Sequence, residues 1–507
     1  MTINRQDYRS SVLGCWLGKN IGGTLGAPFE WRRQVNDVSF YTQDLGGEPL
    51  PNDDLDIQLL WLVALEEQGI EIDAHVLAEY WLLYVTPHWC EYGNAKINMR
   101  AGLMPPLSGI EHNPYKHSCG AFIRSEIWAC IAPGQPRIAA QYAYEDAILD
   151  HGDGEGTHAA VFCAALESAA FVEKDIRKLL DIGLSYIPDG CGVARAVRCA
   201  MGCYDSGMSW RDARDAVLRD HRGGTAMTFV WCTSEEDREK GFHEGVTGWD
   251  APSNIAIIVI GLLYGEGRFD ESLCITVNCG EDTDCTGATV GSIFGILHGA
   301  ESIPQRWVDP IGRTIKVACL NLGELGYFGN QLPQNVDDLT DRTERIARQV
   351  LLRHGSPVVI WSDGPTDLAD LSPDGLLAGD FREALYRTPC GTVHRFRFLG
   401  IAVDYGDSPR VMSGCPKTIS LTVTNNYKIA ATLDVRWYVL EGWTVLPSAE
   451  GTIHVKQAPF GTTGTASFSV QAERVPSGPS RMVVELTMAG RPMVMLVPVV
   501  LVNGDLG

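Results

Sequence analysis

The sequence predicts two architectures in one chain: a large all-α domain followed by a small all-β sandwich. Three observations carry this. At 507 residues the chain exceeds the roughly 250 to 300 residues at which single cores stop growing. From about residue 5 to 350 apolar residues recur with the 3.6-residue helical period between Gly/Pro/Asn loops. Beyond about residue 385 they alternate with period 2.

The clearest helical runs are Ile57 to Glu67, Gly156 to Glu173, Asp212 to Arg219, Asn254 to Tyr264, Thr286 to His298 and Thr340 to Leu352. One of them carries Gly287, Gly291, Gly295 and Gly299 at four-residue spacing. Glycine costs roughly 1 kcal/mol in a helix interior relative to alanine, so this ridge predicts close approach of a second helix. Around Gly355 to Asp380 the composition turns to Pro, Gly, Asp and Ser, which reads as a linker or a strap across the first domain. Strands are predicted at Thr418 to Thr424, Ala431 to Leu440, Ala466 to Val470, Met482 to Met488 and Met493 to Val500, with turns at Asn425-Asn426 and Thr463-Gly464. The expected division is a helical catalytic domain over residues 1–352, a linker or strap over 353–384 and a β-sandwich over 385–507.

A net charge of −22 and a pI near 4.9 argue against general affinity for nucleic acid or anionic membranes, which need basic surface. Small anionic ligands stay open to a local pocket with metal ions or helix N-termini. The fifteen cysteines include no Cys-x-x-Cys pair and no Cys/His cluster at zinc spacing. Most lie in apolar helical runs, as Cys163 and Cys274 do, which reads as free thiols in a reducing compartment. No apolar h-region opens the sequence, and apolar segments such as Ile255 to Tyr264 are shorter than a membrane span. A cytoplasmic protein is expected.

Three acidic segments stand out. In Pro51-Asn52-Asp53-Asp54-Leu55-Asp56, before a helix, four oxygen-bearing side chains crowd five positions, whereas an N-cap needs one or two. In Asn278-Cys279-Gly280-Glu281-Asp282-Thr283-Asp284-Cys285-Thr286 two alternating carboxylates can converge from a loop, although Asp-x-Asp at a helix start also suits capping. Carboxylates held close repel, and the nearest basic residues in sequence are Arg268 and Arg306, so a hard divalent cation is the economical remedy. The third segment, Asp150 to His158, reads either as a turn and cap or as a pocket wall. In the latter His151 donates to a substrate oxygen, with Asp153 and Glu155 as further contacts. The aromatic residues Trp81, Tyr84, Trp89 and Tyr92 suit core packing or stacking on a base or sugar.

These segments, with Gly22-Gly23-Thr24-Leu25-Gly26-Ala27-Pro28-Phe29-Glu30, stand in the order of the ADP-ribosylglycohydrolase family, which the chain resembles over about residues 5 to 330. That family shows Gly-Asp-Ala-Leu-Gly followed by a proline and an acid, then Thr-Asp-Asp, then a Gly-x-Asp-Thr-Asp-Thr loop leading into a small-residue helix and an Ile-Pro, here Ile303-Pro304. The resemblance implies one or two Mg²⁺ ions, with Mn²⁺ or Ca²⁺ as alternatives, held by Asn52, Asp53, Asp54, Asp282 and Asp284. It implies Glu30, with Asp53 and Asp54, as the catalytic carboxyl groups. The segment Ser118 to Arg124 would then be the phosphate- or sugar-binding loop, through Gly120 and Arg124.

The implied activity is metal-dependent hydrolysis of ADP-ribosyl or related glycosidic bonds. A hydrolase of another small glycoside or nucleoside, and a non-catalytic ligand-binding member, are the alternatives. The substrate is thus a small glycoside or an ADP-ribosylated molecule. Four positions depart from the family pattern: Asn52 for Thr, Cys285 for Thr, Gly23 for Asp and Cys119 for Asn. The C-terminal region resembles the immunoglobulin-like accessory sandwiches of carbohydrate-active enzymes, and is expected to mediate homo-oligomerisation or to cover the catalytic domain.

Overall fold

The computed structural model describes residues 1–222, 232–243, 248–321, 331–387, 390–427, 429–457 and 461–505. The helices that position the site are α1 (Arg5–Gly26), α2 (Asp53–Gln68), α3 (Glu155–Ala170), α4 (Gly192–Asp205), α5 (Ala251–Tyr264), α6 (Phe269–Asn278), α7 (Thr283–His298) and α8 (Val336–Arg353). The periodic runs fall on helices, and each helix starts ahead of the run that marks it.

Two rows of glycine set the centre of the helical unit. A Cβ on Gly18 would lie well inside 3.0 Å of the Gly291 carbonyl, one on Gly22 would strike Gly287, and one on Gly295 would strike Gly14. The backbones of α1 and α7 therefore touch, as the ridge predicts. Gly299 does not extend the ridge: it ends α7 with φ +79°, a left-handed conformation glycine adopts freely. The ridge finishes at Gly26, where a Cβ would meet the Thr283 carbonyl, and Thr283 Oγ1 donates to the Gly26 carbonyl at 2.8 Å. This contact fixes the start of α7 beside the end of α1, one turn before Glu30.

Two compact units form, Met1–Asn94 with His112–Tyr386 and Ala95–Glu111 with Arg387–Gly507. The expected division differs at two places. Residues 353–384 go with the helical unit: β1 (Thr2–Asn4) pairs in parallel with β2 (Val359–Trp361), and Tyr186 donates to the Leu376 carbonyl at 3.1 Å. Residues 95–111 go with the β unit, because Leu103 and Leu107 are buried in its apolar core. No described helix is long and apolar enough to cross a membrane. None of the fifteen cysteines forms a disulfide, and Cys163 is buried and Cys274 half-buried.

The β unit is built from β3 (Val393–Arg395), β4 (Leu399–Asp404), β5 (Arg410–Val411), β6 (Lys417–Asn425), β7 (Ala431–Tyr438), β8 (Trp443–Leu446), β9 (Glu450–Val455), β10 (Thr463–Ala472), β11 (Ser480–Met488) and β12 (Val494–Asn503). One sheet has the order β3-β4-β6-β10-β8 and the other β5-β12-β11-β7-β9. Alternation sorts the faces: Ile419, Leu421 and Val423 of β6 enter the shared core, while Thr418, Ser420 and Thr422 pair outside with Ser469, Ser467 and Thr465. Thr463-Gly464 is not a turn. Both residues pair with β6, and Gly464 is small because a Cβ there would meet the His454 carbonyl.

Candidate metal centre

Capping and ligation are separable here, because each cap can be identified. Asn52 is the N-cap of α2, its Oδ1 accepting from the Asp54 N–H at 2.8 Å. Asp53 and Asp54 are therefore released from capping. At α7 the N-cap position is Asp282, yet its side chain makes no cap hydrogen bond. The capping explanation accounts for Asn52 alone.

The loop ahead of α7 is held in an expensive conformation. Gly280 has φ +74° and Glu281 φ +68°, the latter costing a non-glycine residue about 1–3 kcal/mol. Glu281 is fixed by buried Arg33, with Nε–Oε1 at 2.7 Å and Nη2–Oε2 at 2.9 Å, and by the Gly248 N–H at 3.0 Å. The Asp282 N–H donates to Asn254 Oδ1 at 3.2 Å. Strain and clamps together turn both aspartates of the loop inward.

Two donor sets converge there. Ligand atoms of Glu30, Asp282 and Asp284 lie within 4.8 Å of one another, as do those of Asp54, Asp284 and Cys285, so Asp284 belongs to both. Asp54 Oδ1, Asp282 Oδ1 and Asp284 Oδ1 are buried with no hydrogen-bond partner. Such atoms cost roughly 1–3 kcal/mol each, and more when charged. Burial, then Asp282, Asp53 and Asp54, push the Glu30 carboxyl up to about 9. Burial also lifts Asp54 to about 7 and raises Asp282 and Asp284 well above the carboxylate range. A divalent cation bound by oxygen is the partner that satisfies orphaned buried carboxylate atoms crowded in this way.

The departures from the family pattern fall on the same ground. The Cys285 sulfur lies within 4.8 Å of carboxylate oxygens of Asp54 and Asp284, and Asp282 acts electrostatically on both the Cys285 and the Cys119 thiol. Burial first, then the acidic neighbours, raise both thiols well above their usual range. Asn52 and Gly23 are complementary, since a Cβ on Gly23 would run into the Asn52 amide.

Several contributors escaped the sequence reading. Tyr92, read as core or stacking, donates from its hydroxyl to Asp53 Oδ2 at 3.1 Å. Lys19 lies buried in apolar α1 and donates to Glu126 Oε1 at 2.7 Å and to the Ile123 carbonyl at 2.6 Å. Its charge acts on Asp54. A lysine inside a glycine-rich apolar helix was the available signal. Asn254 gave none beyond its place in the first turn of α5.

The side chains of the third segment, read either as a turn and cap or as a pocket wall, are engaged within the fold. His151 is fully buried between Asp150 Oδ1, 2.7 Å from Nδ1, and Ser118 Oγ, 3.0 Å from Nε2. The Arg124 guanidinium is spent on Asp146 at 2.9 Å, Asp150 at 2.7 and 3.1 Å and the Gly120 carbonyl at 2.5 Å, and lies over the Trp81 ring. Neither presents a free donor. Together they pin the 118–120 turn, whose Cys119 thiol feels the charge of Asp282. Gly120 is small because a Cβ would strike Glu91 Oε1. Asp153 is largely exposed on Lys116, and Glu155 accepts from the N–H groups of Gly192 and Val193 at 2.7 and 3.0 Å, capping α4.

Helical packing thus brings two carboxylate loops together beside glycine-lined backbone, with buried oxygens of Asp54, Asp282 and Asp284 converging. The profile of the ADP-ribosylglycohydrolase family matches residues 4–349, and the chain belongs to that family. It is 29% identical over 66 residues to ADP-ribosylarginine hydrolase Tri1 of Serratia proteamaculans (strain 568), covering 13% of this chain and only 18% of that protein's length. Two solved structures each cover 22% of this chain. They are a FixG-related protein from Vibrio parahaemolyticus (14% identity, 99% of that chain, TM-score 0.18) and the macrocyclisation enzyme AvmM of alchivemycin A biosynthesis (11%, 97%, TM-score 0.13). At those scores neither bears on fold or function.

Proposed function

We propose that the chain is a divalent-cation-dependent glycohydrolase that cleaves ADP-ribosyl linkages, with Mg²⁺ the first candidate ion. The observation that carries this is the set of partnerless buried oxygens on Asp54, Asp282 and Asp284 facing Glu30. Asp53, Asp54, Asp282 and Asp284 would hold one or two ions, with Asn52 fixing the α2 end. A bound cation supplies Lewis acidity towards ribose hydroxyls and a water. Glu30 carries the proton beside it. In the reaction, water oxygen bonds to ribose C1, the bond from C1 to the leaving side-chain atom breaks, and the water's proton passes to that atom. Carboxylates near C1 stabilise the positive charge that develops on the sugar. The 118–120 turn, pinned by His151 and Arg124, would form the wall nearest Asp282.

Arginine-linked ADP-ribose is the first linkage to assay, given the name of the relative from Serratia. Release of ADP-ribose from modified arginine should require added Mg²⁺ or Mn²⁺, stop with chelator, and be lost in Asp282→Asn. Calorimetric titration that detects cation binding without release from any ADP-ribosyl substrate would replace this reading with a non-catalytic binding role. Release of free sugar from a glycoside panel instead would move the substrate class.

A further inference from the structure

The cluster Glu155, His158 and Cys191 uses none of the residues of the two loops that carry Asp53–Asp54 and Asp282–Asp284. Glu155-Gly156-Thr157-His158 opens α3, and the i, i+3 spacing sets carboxylate and imidazole on one helix face. Cys191 arrives from 33 residues further on as the N-cap of α4, its sulfur accepting the Ala194 N–H at 3.4 Å. That long separation is why no Cys/His spacing is visible in the sequence. One ligand atom from each of the three lies within 4.8 Å of the other two.

We propose that these three side chains form a second metal site, for a borderline-soft divalent ion such as Zn²⁺. Sulfur, nitrogen and oxygen together are the donors Zn²⁺ takes, and they are poor company for Mg²⁺. Zinc bonds of about 2.0–2.3 Å need donors closer together than 4.8 Å, a change side-chain rotation can supply. Glu155 is already oriented by the Gly192 and Val193 N–H groups, and a carboxylate has lone pairs left for a metal. Thiolate and carboxylate balance the ion's charge. Cys191 is buried while Glu155 and His158 are about one-fifth exposed, leaving a path for the ion.

A second observation points to the same place. The ring of Tyr386 packs edge-on against His158 at 5.4 Å, and its hydroxyl is buried with no hydrogen-bond partner. Cys191 is foremost among the ionisable neighbours acting on that hydroxyl. The phenol oxygen, or a water it holds, completes a four-coordinate set. The site would tie the start of α3 to the start of α4.

Co²⁺ serves as the probe, because a sulfur ligand gives it a charge-transfer absorption in the near ultraviolet. To remove the other thiols near the acidic loop, the background is the full chain with Asp282→Asn, Asp284→Asn, Cys119→Ser and Cys285→Ser. The expected result is a saturable Co²⁺ band there, displaced by one equivalent of Zn²⁺, and its loss on adding Cys191→Ser. Serine is itself a good N-cap, so α4 stays capped, and far-ultraviolet circular dichroism checks that the fold persists. His158→Ala should also abolish the band. No band in the background variant, or a band that survives Cys191→Ser, overturns the proposal. Neither result bears on the acidic loops, whose ion has its own assay.

Discussion

The amide of Asn52 fills the space that a side chain at position 23 would occupy. Two apparent departures from the family pattern, a larger residue at 52 and a smaller one at 23, are thus one compensated exchange. Gly23→Asp alone should destabilise the α2 end by about 1–3 kcal/mol and weaken cation binding, since the new atoms displace the N-cap. Adding Asn52→Thr should recover most of that loss. A double-mutant cycle on denaturant stability and on calorimetric Mg²⁺ affinity measures the coupling, and additive effects would refute the exchange.

The contact between α1 and α7 admits no side chain. A Cβ on Gly291 would press on the Gly18 carbonyl, which is backbone and cannot rotate away. Alanine gains roughly 1 kcal/mol of helix propensity over glycine, but separating two packed helices costs more. Gly291→Ala should therefore lose about 2 kcal/mol net and lower the melting temperature. Alanine at Gly202, on α4 with nothing near its Cβ, should stabilise slightly, and the pair read by urea unfolding tests whether packing or propensity decides.

Arg33 and Glu281 form a fully buried pair on which the geometry of Asp282 depends. Burial alone would raise the Glu281 carboxyl, but Arg33 above all, with the Gly248 N–H, holds it below the usual carboxylate range. Arg33→Ala strands a buried carboxylate and should cost about 3–5 kcal/mol. Arg33→Met with Glu281→Gln should cost less, while both variants lose cation affinity because the strained loop relaxes. Unchanged affinity in a folded variant would mean the aspartates are positioned by other contacts.

The helical interiors and the two acidic loops were legible because periodicity and repeated oxygen donors are local signals. The meeting of Asp54 with Asp284 was anticipated through motif order, and the glycine ridge from spacing. Positions whose partners lie far off in sequence were opaque. Nothing near Arg124 in sequence announces that Asp146 and Asp150 accept from its guanidinium. The same holds for His151 with Ser118, and for Gly464, whose smallness answers to the His454 carbonyl and not to a turn. Strands β3, β4, β5, β8 and β9, of two to six residues each, carry too little alternation to stand out from the turns around them.

Glu344 on α8 supplies a pH dependence remote from the metal centre. Its carboxylate accepts from Arg5 Nε at 2.7 Å, Arg9 Nη1 at 2.8 Å and Arg348 Nη2 at 2.9 Å, joining α8 to the start of α1. Burial alone would raise this group, but the hydrogen bonds from Arg5, Arg9 and Arg348 prevail and hold it down to about 2, against an ordinary 4.5. A carboxyl group depressed by folding stabilises the folded state above its unfolded value. That contribution is intact at neutral pH, declines as pH falls below about 4.5, and is gone near 2. Glu344→Gln should therefore unfold at lower urea than the parent at pH 7, with the gap narrowing steadily between pH 5 and pH 3. A gap that stays constant over that range would assign the effect of the substitution to lost packing and hydrogen bonding, not to the charge.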